Sequence, residues 1–449
     1  MSTPLRDALQ AHLQKNRAPF HTPGHKGHPP AVFDFDLTEL PDTDSLFEAS
    51  GPILQAEQQA ARLFHSRRTL FSAGGCTLCM QAMLRLALPQ GGKLLAGRVI
   101  HRSAVHTMAL LDITPVWLLP QPDSGPGLAG RIDPRDVEAA LSANPQIRAV
   151  YLTCPDYFGV LSDLRAISQV AHAHHVPLLV DNAHGAHLGL LPQDLHPLTF
   201  GADLCACSAH KTLPVLTGGA FLNIGDTPLA REYRYAERAK QAMALFGSTS
   251  PNYMVMASLD DAVDWALREG KAAFSDLLIR MQPLRQLCRQ KHLPMPRGPH
   301  DESRLSFCSL SAGLTGEQAA AHLRQHGVEP EYADNGWVVC ILTPQNTPQD
   351  LSALYRAIAS LPDGDPDFEK HPSVFPVLPS LPETVLTPRQ ALLRESKPVP
   401  LSQAVGHIAA GSACPCPPGV PVVMPGERIT KNLTEFLYSY GFSFIEVVQ

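Results

Sequence analysis

Short apolar runs alternate with amphipathic stretches along the first half of the chain. The apolar runs predict strands at 95–100, 116–119, 148–153, 178–181, 203–207 and 219–223, with helical segments between them. A further short strand, Thr69-Leu70-Phe71-Ser72, runs into Gly74-Gly75, and a helix is predicted from Leu78 to Leu88. This rhythm predicts an α/β fold with a mainly parallel, doubly wound sheet.

The pattern of the later part of the chain differs from that of the first half and predicts smaller domains. A long helix from Met254 to about Gly270 leads to strands at 304–307 and 337–342, and residues 361–400 are rich in proline. A single core would be unusually large for 449 residues, so several domains are expected. The predicted divisions are an N-terminal arm (1–50, with a helix at 3–16), a large domain (51–255), a small α/β domain (256–360), a linker (361–400) and a short C-terminal α+β domain (401–449).

Composition narrows the classes of function. The net charge of −6 and the lack of a basic stripe argue against a nucleic-acid partner. Apolar stretches stop well short of a membrane-spanning length, and the N-terminus has no apolar leader, so a cytoplasmic location is expected. The ten cysteines include the pairs 76/79, 205/207 and 414/416, but these do not form matched zinc knuckles. We therefore predict no metal and interpret most cysteines as small buried apolar residues.

The candidate chemistry centres on Ser208-Ala209-His210-Lys211, which follows the predicted strand 203–207. A lysine at the carboxyl end of a buried strand lies where open α/β sheets place their sites, and a desolvated amine can attack a carbonyl carbon. Thirty residues upstream, the strand 178–181 ends in Asp181. A strand-end acid and a lysine are what pyridoxal phosphate requires, because the acid keeps the ring nitrogen protonated and the lysine holds the aldehyde carbon.

Several motifs resemble the short bacterial form of the Orn/Lys/Arg decarboxylase family, within the fold type I pyridoxal phosphate enzymes of the aspartate aminotransferase superfamily. The motifs are Thr22-Pro23-Gly24-His25-Lys26-Gly27, Asp181-x-x-His184-Gly185, Ser208-x-His210-Lys211-Thr212-Leu213, Phe246-Gly247-Ser248-Thr249 and Cys416-Pro417-Pro418-Gly419. The last motif belongs to a C-terminal domain that general aminotransferases lack. The resemblance implies a seven-stranded sheet and pyridoxal 5'-phosphate as cofactor.

The resemblance also implies roles for individual residues. Lys211, His210, Asp181 and His101 would be catalytic, with His101 stacked on the ring. The implied cofactor-binding residues are Gly75, Cys76, Thr77, His101, Asp181, His184, Ser208, His210, Lys211 and Thr249. Thr249 would reach the cofactor of a neighbouring subunit, which implies a homodimer with shared active sites. The implied substrate contacts are His25, Lys26, Tyr157 and Glu331.

The expected activity is decarboxylation of arginine, lysine or ornithine to the corresponding amine, in polyamine-related metabolism. Three positions depart from the family pattern, namely Cys76, Leu78 and Gly218. A thiol at Cys76 is a weaker donor than a hydroxyl, so phosphate binding would depend more on backbone N–H groups. Two alternatives remain open: another fold type I activity such as transamination, and a non-catalytic paralogue that binds the cofactor.

Overall fold

The computed structural model of the chain describes residues 18–20, 44–121, 123–128, 130–370, 380–413 and 421–449. The predicted helix at 3–16, the motif that carries His25 and Lys26, and the pair Cys414 and Cys416 lie outside these residues. The statements below concern the described parts of the chain.

A seven-stranded sheet forms the centre of the large domain. Its strands are β2 (Arg68–Ser72), β3 (Gly92–Gly97), β4 (Ile113–Leu118), β5 (Ile147–Thr153), β6 (Leu178–Asp181), β7 (Leu204–Cys207) and β8 (Ala220–Ile224). They lie in the order β2-β8-β7-β6-β5-β3-β4. Strand β8 runs in the opposite direction to the other six strands of this sheet. The predicted mainly parallel α/β sheet is confirmed.

Helices cover both faces of this sheet. They are α1 (Pro52–Leu63), α2 (Gly75–Ala87), α3 (Arg102–Leu111), α4 (Pro134–Ala143), α5 (Leu164–Ala173), α6 (Ala209–Thr212), α7 (Pro228–Glu232), α8 (Tyr235–Ala244) and α9 (Tyr253–Trp265). Alternate residues of β7 therefore enter two different cores: Leu204 and Ala206 on one face, Cys205 and Cys207 on the other. Because successive strand side chains point to opposite faces, an apolar run buries every residue of such a strand.

The small domain is attached through one long helical segment. Helix α9 continues through a π-helical turn at Ala266–Gly270 into α10 (Lys271–Gln290). Three antiparallel strands follow in the order β11 (Tyr332–Ala333), β12 (Trp337–Ile341) and β9 (Arg304–Cys308), packed with α11 (Gly316–Gln325) and α12 (Pro348–Ala359). Strand β1 (Ala18–Phe20) pairs in parallel with β10 (Val328–Pro330), so this part of the N-terminal arm joins the small domain.

The C-terminal unit begins earlier than the sequence predicts. Strand β13 (Ser396–Pro400) pairs antiparallel with β14 (Phe444–Val448), and helix α14 (Lys431–Ser439) packs against them. Helix α13 (Pro388–Leu392), just before β13, packs instead against α3 of the large domain. The predicted boundary at 401 is therefore wrong, because 396–400 belong to this sheet rather than to a linker. Prolines are tolerated in β13 because a two-stranded sheet has only edge strands.

A buried ion pair fastens the C-terminal unit to the large domain. Arg98, just after β3, binds both carboxylate oxygens of Glu427 at 2.5 and 2.7 Å and donates to the Val422 carbonyl at 3.0 Å. The guanidinium also lies 5.2 Å from the ring centre of Trp117. Bidentate geometry and several hydrogen bonds are what such a buried pair needs to offset desolvation.

The structure bears on membrane-spanning segments and on the state of the cysteines. Within the described residues, no helix is both long enough and apolar enough to cross a bilayer. The eight described cysteines are all buried and form no disulfide with one another.

Candidate active site

A cavity of about 230 Å³ opens at the carboxyl ends of strands β5, β6 and β7. Parallel strands of an open sheet direct their chemistry to this edge. Most of the predicted site residues line the cavity, namely Gly75, Cys76, Thr77, His101, Tyr157, Asp181, His184, Ser208, His210 and Lys211. Predicted site residues from five separate segments of the sequence therefore meet at one cavity.

A larger cavity, of about 520 Å³, lies elsewhere, near the starts of α4 and α5. Among its charged side chains, Arg131 is paired with Asp123 and Arg135 with Asp133. The smaller cavity is the better candidate because it holds a nucleophile, a buried acid and a helix N-terminus together.

Asp181 ends β6 and is almost fully buried at the cavity wall. Its carboxylate accepts hydrogen bonds from the Tyr151 hydroxyl at 3.2 Å and from the Ala183 N–H at 3.1 Å. Burial raises the pKa of Asp181, while the charges of His101 and Lys211 and these hydrogen bonds oppose the rise. A positive group placed in the cavity against this carboxylate would favour its ionised form.

Lys211 lies in the short helix α6, directly after β7. Its Nζ is 2.8 Å from Nε2 of His184. Burial is the largest cause that lowers the pKa of Lys211, and the charges of Asp181 and Glu331 oppose it. Burial also holds the pKa of His184 well below its usual range, and the neighbouring Lys211 and Arg304 charges act in the same direction. Burial in the site therefore weakens proton binding by both groups.

The start of α2 offers backbone groups to an anion. Gly75 has φ +71°, and a Cβ built on it would contact nothing, so this backbone faces open space. The Gly75 N–H itself donates to the Gly218 carbonyl at 2.8 Å, which makes Gly218 part of the turn. Burial holds the Cys76 thiol neutral by raising its pKa well above the usual value. A helix N-terminus with Thr77 and nearby Ser208 is suited to a phosphate.

Two histidines flank the lysine. His101 caps α3, and its Nδ1 accepts from the Ser103 N–H at 3.3 Å and lies 2.7 Å from the Ser103 hydroxyl. Burial lowers the pKa of His101. His210 places Nδ1 3.2 Å from both the Gly219 carbonyl and the Ser208 hydroxyl. Since a carbonyl only accepts, Nδ1 of His210 carries a proton.

Of the predicted substrate contacts, two are described and lie together. The Tyr157 hydroxyl donates to Glu331 at 2.8 Å, and the Tyr157 ring packs edge-on against His184 at 4.8 Å. Thr249 is exposed and is not among the residues that line this chain's cavity. Its assignment to a neighbouring subunit stays a prediction, as do those of His25 and Lys26.

Three residues at the site are not predicted by the sequence patterns. Tyr151 and Thr153 are alternate residues of β5, and the Thr153 hydroxyl lines the cavity as a buried group without a hydrogen-bond partner among the described atoms. Polar groups at alternate positions near a strand end were the signal that could have found both. Arg304, from β9 of the small domain, contacts His184 and carries no local signal in the sequence.

A second buried cluster sits behind β7, on the opposite face of the strand from the core around α2. Cys205 and Cys207 have their sulfurs 3.7 Å apart, and Nε2 of His196 lies 3.6 Å from Cys207. Side-chain amides of Asn182 and Asn223 also donate to the Cys207 sulfur. Burial raises the pKa of Cys207, but hydrogen bonds from Cys205, His196 and Asn182 outweigh it and lower the pKa to about 5.

The fold and the cavity together define the class: this is the architecture of the fold type I pyridoxal phosphate enzymes. The constitutive lysine decarboxylase of Escherichia coli superposes with a TM-score of 0.76 at 20% identity, covering 100% of this chain and 82% of that one. An alanine–glyoxylate aminotransferase of Nostoc superposes with a TM-score of 0.55 at 16% identity, covering 68% of this chain and 85% of that one.

The sequence comparisons identify the family. Residues 3–297 match the Orn/Lys/Arg decarboxylase major domain, and residues 373–443 match the C-terminal domain of the same family. The chain therefore belongs to the Orn/Lys/Arg decarboxylase family, as its motifs predicted. It is 28% identical to an arginine decarboxylase of Bacillus subtilis, across 97% of this chain and 93% of that protein. It is 32% identical to the uncharacterised protein YaaO of the same organism, across 97% and 94%.

Proposed function

We propose that this chain decarboxylates arginine with pyridoxal 5'-phosphate as cofactor. The observation that carries the proposal is the cavity in which a lysine amine, a buried carboxylate and a helix N-terminus all face the same space. Several relatives of similar length are named arginine decarboxylase, with 28–29% identity and 91% or more of their length covered. The named lysine decarboxylase of Escherichia coli is more distant, at 24% identity with 76% of its length covered.

The residues present fit the cofactor. Thr153 leaves a buried hydroxyl without a partner at the cavity wall, and Gly75 leaves open space where any other residue would place a Cβ. Asp181 would hold the ring nitrogen, Lys211 would hold the aldehyde carbon, and the start of α2 with Ser208 would hold the phosphate. His101 would lie against the ring.

When bound, pyridoxal phosphate supplies an electron-withdrawing ring that takes up the electron pair left at the α-carbon as carbon dioxide departs. Asp181 keeps its charge against the ring nitrogen, and Tyr151 and the Ala183 N–H orient the carboxylate. His210 lines the same cavity and is our candidate for returning a proton to the α-carbon; since its Nδ1 is held by the Gly219 carbonyl, it would do so from Nε2 in its protonated form.

The far end of the substrate needs an acidic partner, since arginine, lysine and ornithine all end in a cation. Glu331 is our candidate, because Tyr157 links it to the cavity wall through the 2.8 Å hydrogen bond. A guanidinium can bind such a carboxylate through two parallel hydrogen bonds, whereas an ammonium binds as a point charge. We therefore expect Glu331→Gln to raise KM for arginine more than it lowers kcat.

The decisive experiment is a product assay on purified protein loaded with pyridoxal phosphate. Carbon dioxide release is measured with arginine, lysine and ornithine, and keto acids are measured in the same reactions. We expect the highest kcat/KM for arginine. A preference for lysine or ornithine would overturn the substrate assignment, and keto acid without carbon dioxide would indicate transamination. Cofactor binding without either product would favour a non-catalytic paralogue.

We also propose that the protein works as a homodimer in which Thr249 reaches the cofactor of the partner. Thr249 is exposed and is not among the residues that line its own cavity, which supports this arrangement. Mixing Lys211→Met with Thr249→Asp subunits tests it. One site of each mixed dimer then keeps both Lys211 and Thr249, so activity should appear that neither parent variant has. No gain on mixing would contradict the shared site.

We place the protein in the cytoplasm, where reduced cysteines are the rule. The described cysteines are buried and form no disulfide among themselves, which supports a reducing compartment. Fractionation of the source cells, followed by immunodetection of the chain, tests this placement.

A further inference from the structure

Arg304 is a buried guanidinium that reaches from the small domain into the loops around the candidate active site. It is 3% exposed and begins strand β9. One terminal nitrogen, Nη1, donates to the Tyr157 carbonyl at 2.6 Å and lies 3.3 Å from Nδ1 of His184. The other, Nη2, donates to the His184 carbonyl at 3.3 Å. Arg304 therefore grips both the backbone and the ring of His184.

These contacts constrain the proton on the imidazole. A guanidinium stays charged in proteins and only donates hydrogen bonds, so Nδ1 of His184 must accept. A neutral imidazole that accepts at Nδ1 carries its proton on Nε2. That Nε2 lies 2.8 Å from Nζ of Lys211, so its N–H points at the amine. Lys211 can accept this hydrogen bond only as a neutral amine with a free lone pair.

We propose that Arg304 is a positioning residue that fixes the tautomer of His184 and thereby keeps the Lys211 amine unprotonated. The opposite arrangement, a charged ammonium that donates to Nε2, would require both ring nitrogens to accept, and a neutral imidazole cannot do that. A neutral amine is the form that attacks an aldehyde carbon, so the arrangement prepares the chain to take up its cofactor. This use of the amine rests on the proposed function; the protonation state itself does not.

The other charged groups around Lys211 pull in both directions. Asp181 and Glu331 favour an ammonium, whereas burial and Arg304 disfavour it. His101 and His210 also face the cavity. The hydrogen bond from His184 acts in addition to this balance, because a fixed N–H donor at 2.8 Å leaves no place for a further proton on that side of the amine.

The test measures the protonation of Lys211 in the full chain freed of cofactor. Trace acetic anhydride reacts with neutral amines only, and mass spectrometry of the Lys211 peptide gives the extent of labelling at each pH. In Arg304→Met we expect the labelling midpoint to move up by about one pH unit, which is a tenfold lower rate near neutral pH. The wild-type profile unchanged in this variant would overturn the proposal.

A matched control removes a neighbouring, partly buried arginine with similar chemistry. Arg285 donates to the Glu302 carbonyl at 2.5 Å and to the Arg304 carbonyl at 3.1 Å, and its guanidinium lies 3.4 Å from Nε2 of His300. Arg285→Met should destabilise the same strand start and leave the Lys211 profile in place. An equal shift in both variants would show that Arg304 acts only through local structure, and the proposal would be wrong.

A double-mutant cycle separates the tautomer from the simple charge of Arg304. In a His184→Phe background the imidazole that links Arg304 to Lys211 is absent, so adding Arg304→Met should produce only the smaller shift that the direct charge of Arg304 causes. A further shift as large as in wild type would show a direct charge effect and would overturn the proposal. His184→Phe alone also answers the question if Arg304→Met does not fold, because the midpoint should rise although Arg304 is present. None of these measurements needs cofactor or substrate, so failure of the proposed function would leave their outcome unaffected.

Discussion

The chain contains two buried lysine–acid arrangements that are built for different ends. Lys240 lies 2.6 Å from Glu57 and also donates to the Leu46 carbonyl, so its ammonium is fully engaged. Lys211 and Asp181 instead line one cavity, where each contacts neutral partners, His184 for the lysine and Tyr151 for the acid. The two groups of the first, closed pair contact each other, whereas those of the second, open pair face a shared cavity with room for a ring.

The difference shows which surroundings make a buried lysine available for chemistry. Burial lowers the pKa of both lysines, but only at Lys240 does a carboxylate in hydrogen-bond contact oppose the effect. A pair in contact stabilises the fold once it is buried, and breaking it is destabilising. When the two groups are not in contact, the free-energy cost of burying them is not offset until a ligand binds between them.

The largest expected effect is loss of activity in Lys211→Met. Removal of the amine that holds the cofactor should lower carbon dioxide release by about 10⁴-fold or more, the scale seen when a covalent catalyst is removed. The visible absorption of the bound cofactor should disappear as well. If turnover and colour both survive, the assignment of the site is wrong.

Lys240→Met should damage stability instead of chemistry. It leaves the Glu57 carboxylate buried without its partner, so we expect a loss of about 3–5 kcal/mol in the free energy of unfolding. Carbon dioxide release per folded molecule should stay within about twofold of wild type. Adding Glu57→Gln should recover part of the lost stability, because the stranded charge is then removed. Additive losses in the double variant would contradict the closed-pair interpretation.

Asp181→Asn tests the acid of the open pair. An amide cannot hold a proton on the ring nitrogen by charge, so carbon dioxide release should fall by about 10²–10³-fold. Glu57→Gln is the control, since it removes a buried acid from the closed pair and should leave the rate per folded molecule unchanged. Equal rates for wild type and Asp181→Asn would exclude the proposed role.

The smallest effect is on the stability of the cofactor-free protein. Burial lowers the pKa of Lys211 below its unfolded value of about 10.4, so between these two values the unfolded chain binds a proton that the folded chain lacks. Stability from this group therefore rises with pH across that interval. Lys211→Met should stabilise the protein by about 1 kcal/mol at neutral pH, and the gain should vanish as pH approaches 10.4. Denaturant titration at several pH values measures it, and destabilisation at neutral pH would contradict it.

The sequence predicted the open pair because its members sit in local patterns. Asp181 ends an apolar strand and Lys211 follows another, and parallel strands must bring those ends to one edge of the sheet. Cys205 and Cys207 are alternate residues of β7 and therefore share a face, where their sulfurs lie 3.7 Å apart. The position of the site at the carboxyl edge of the sheet could thus be predicted from the periodicity and order of the strands.

Contacts between the domains could not be predicted in this way. Arg304 lies 120 residues beyond His184, at the start of a strand whose own pattern is ordinary. Within the large domain, His196 reaches Cys207 from a loop with no regular pattern. Such pairings depend on how segments pack in three dimensions, which spacing along the chain does not encode. The early start of the C-terminal unit was missed for a related reason, since prolines in β13 resemble a linker.

The buried pair of Arg98 and Glu427 has a consequence for engineering chimeras of this family. Arg98 lies three residues before His101, so a foreign C-terminal unit without an acid at this point would strand a guanidinium beside a cavity-lining loop. Exchanging C-terminal units between relatives should therefore succeed only when the arginine and its acidic partner are both kept. A deletion mutant that ends before Glu427 should lose the ability to retain the cofactor.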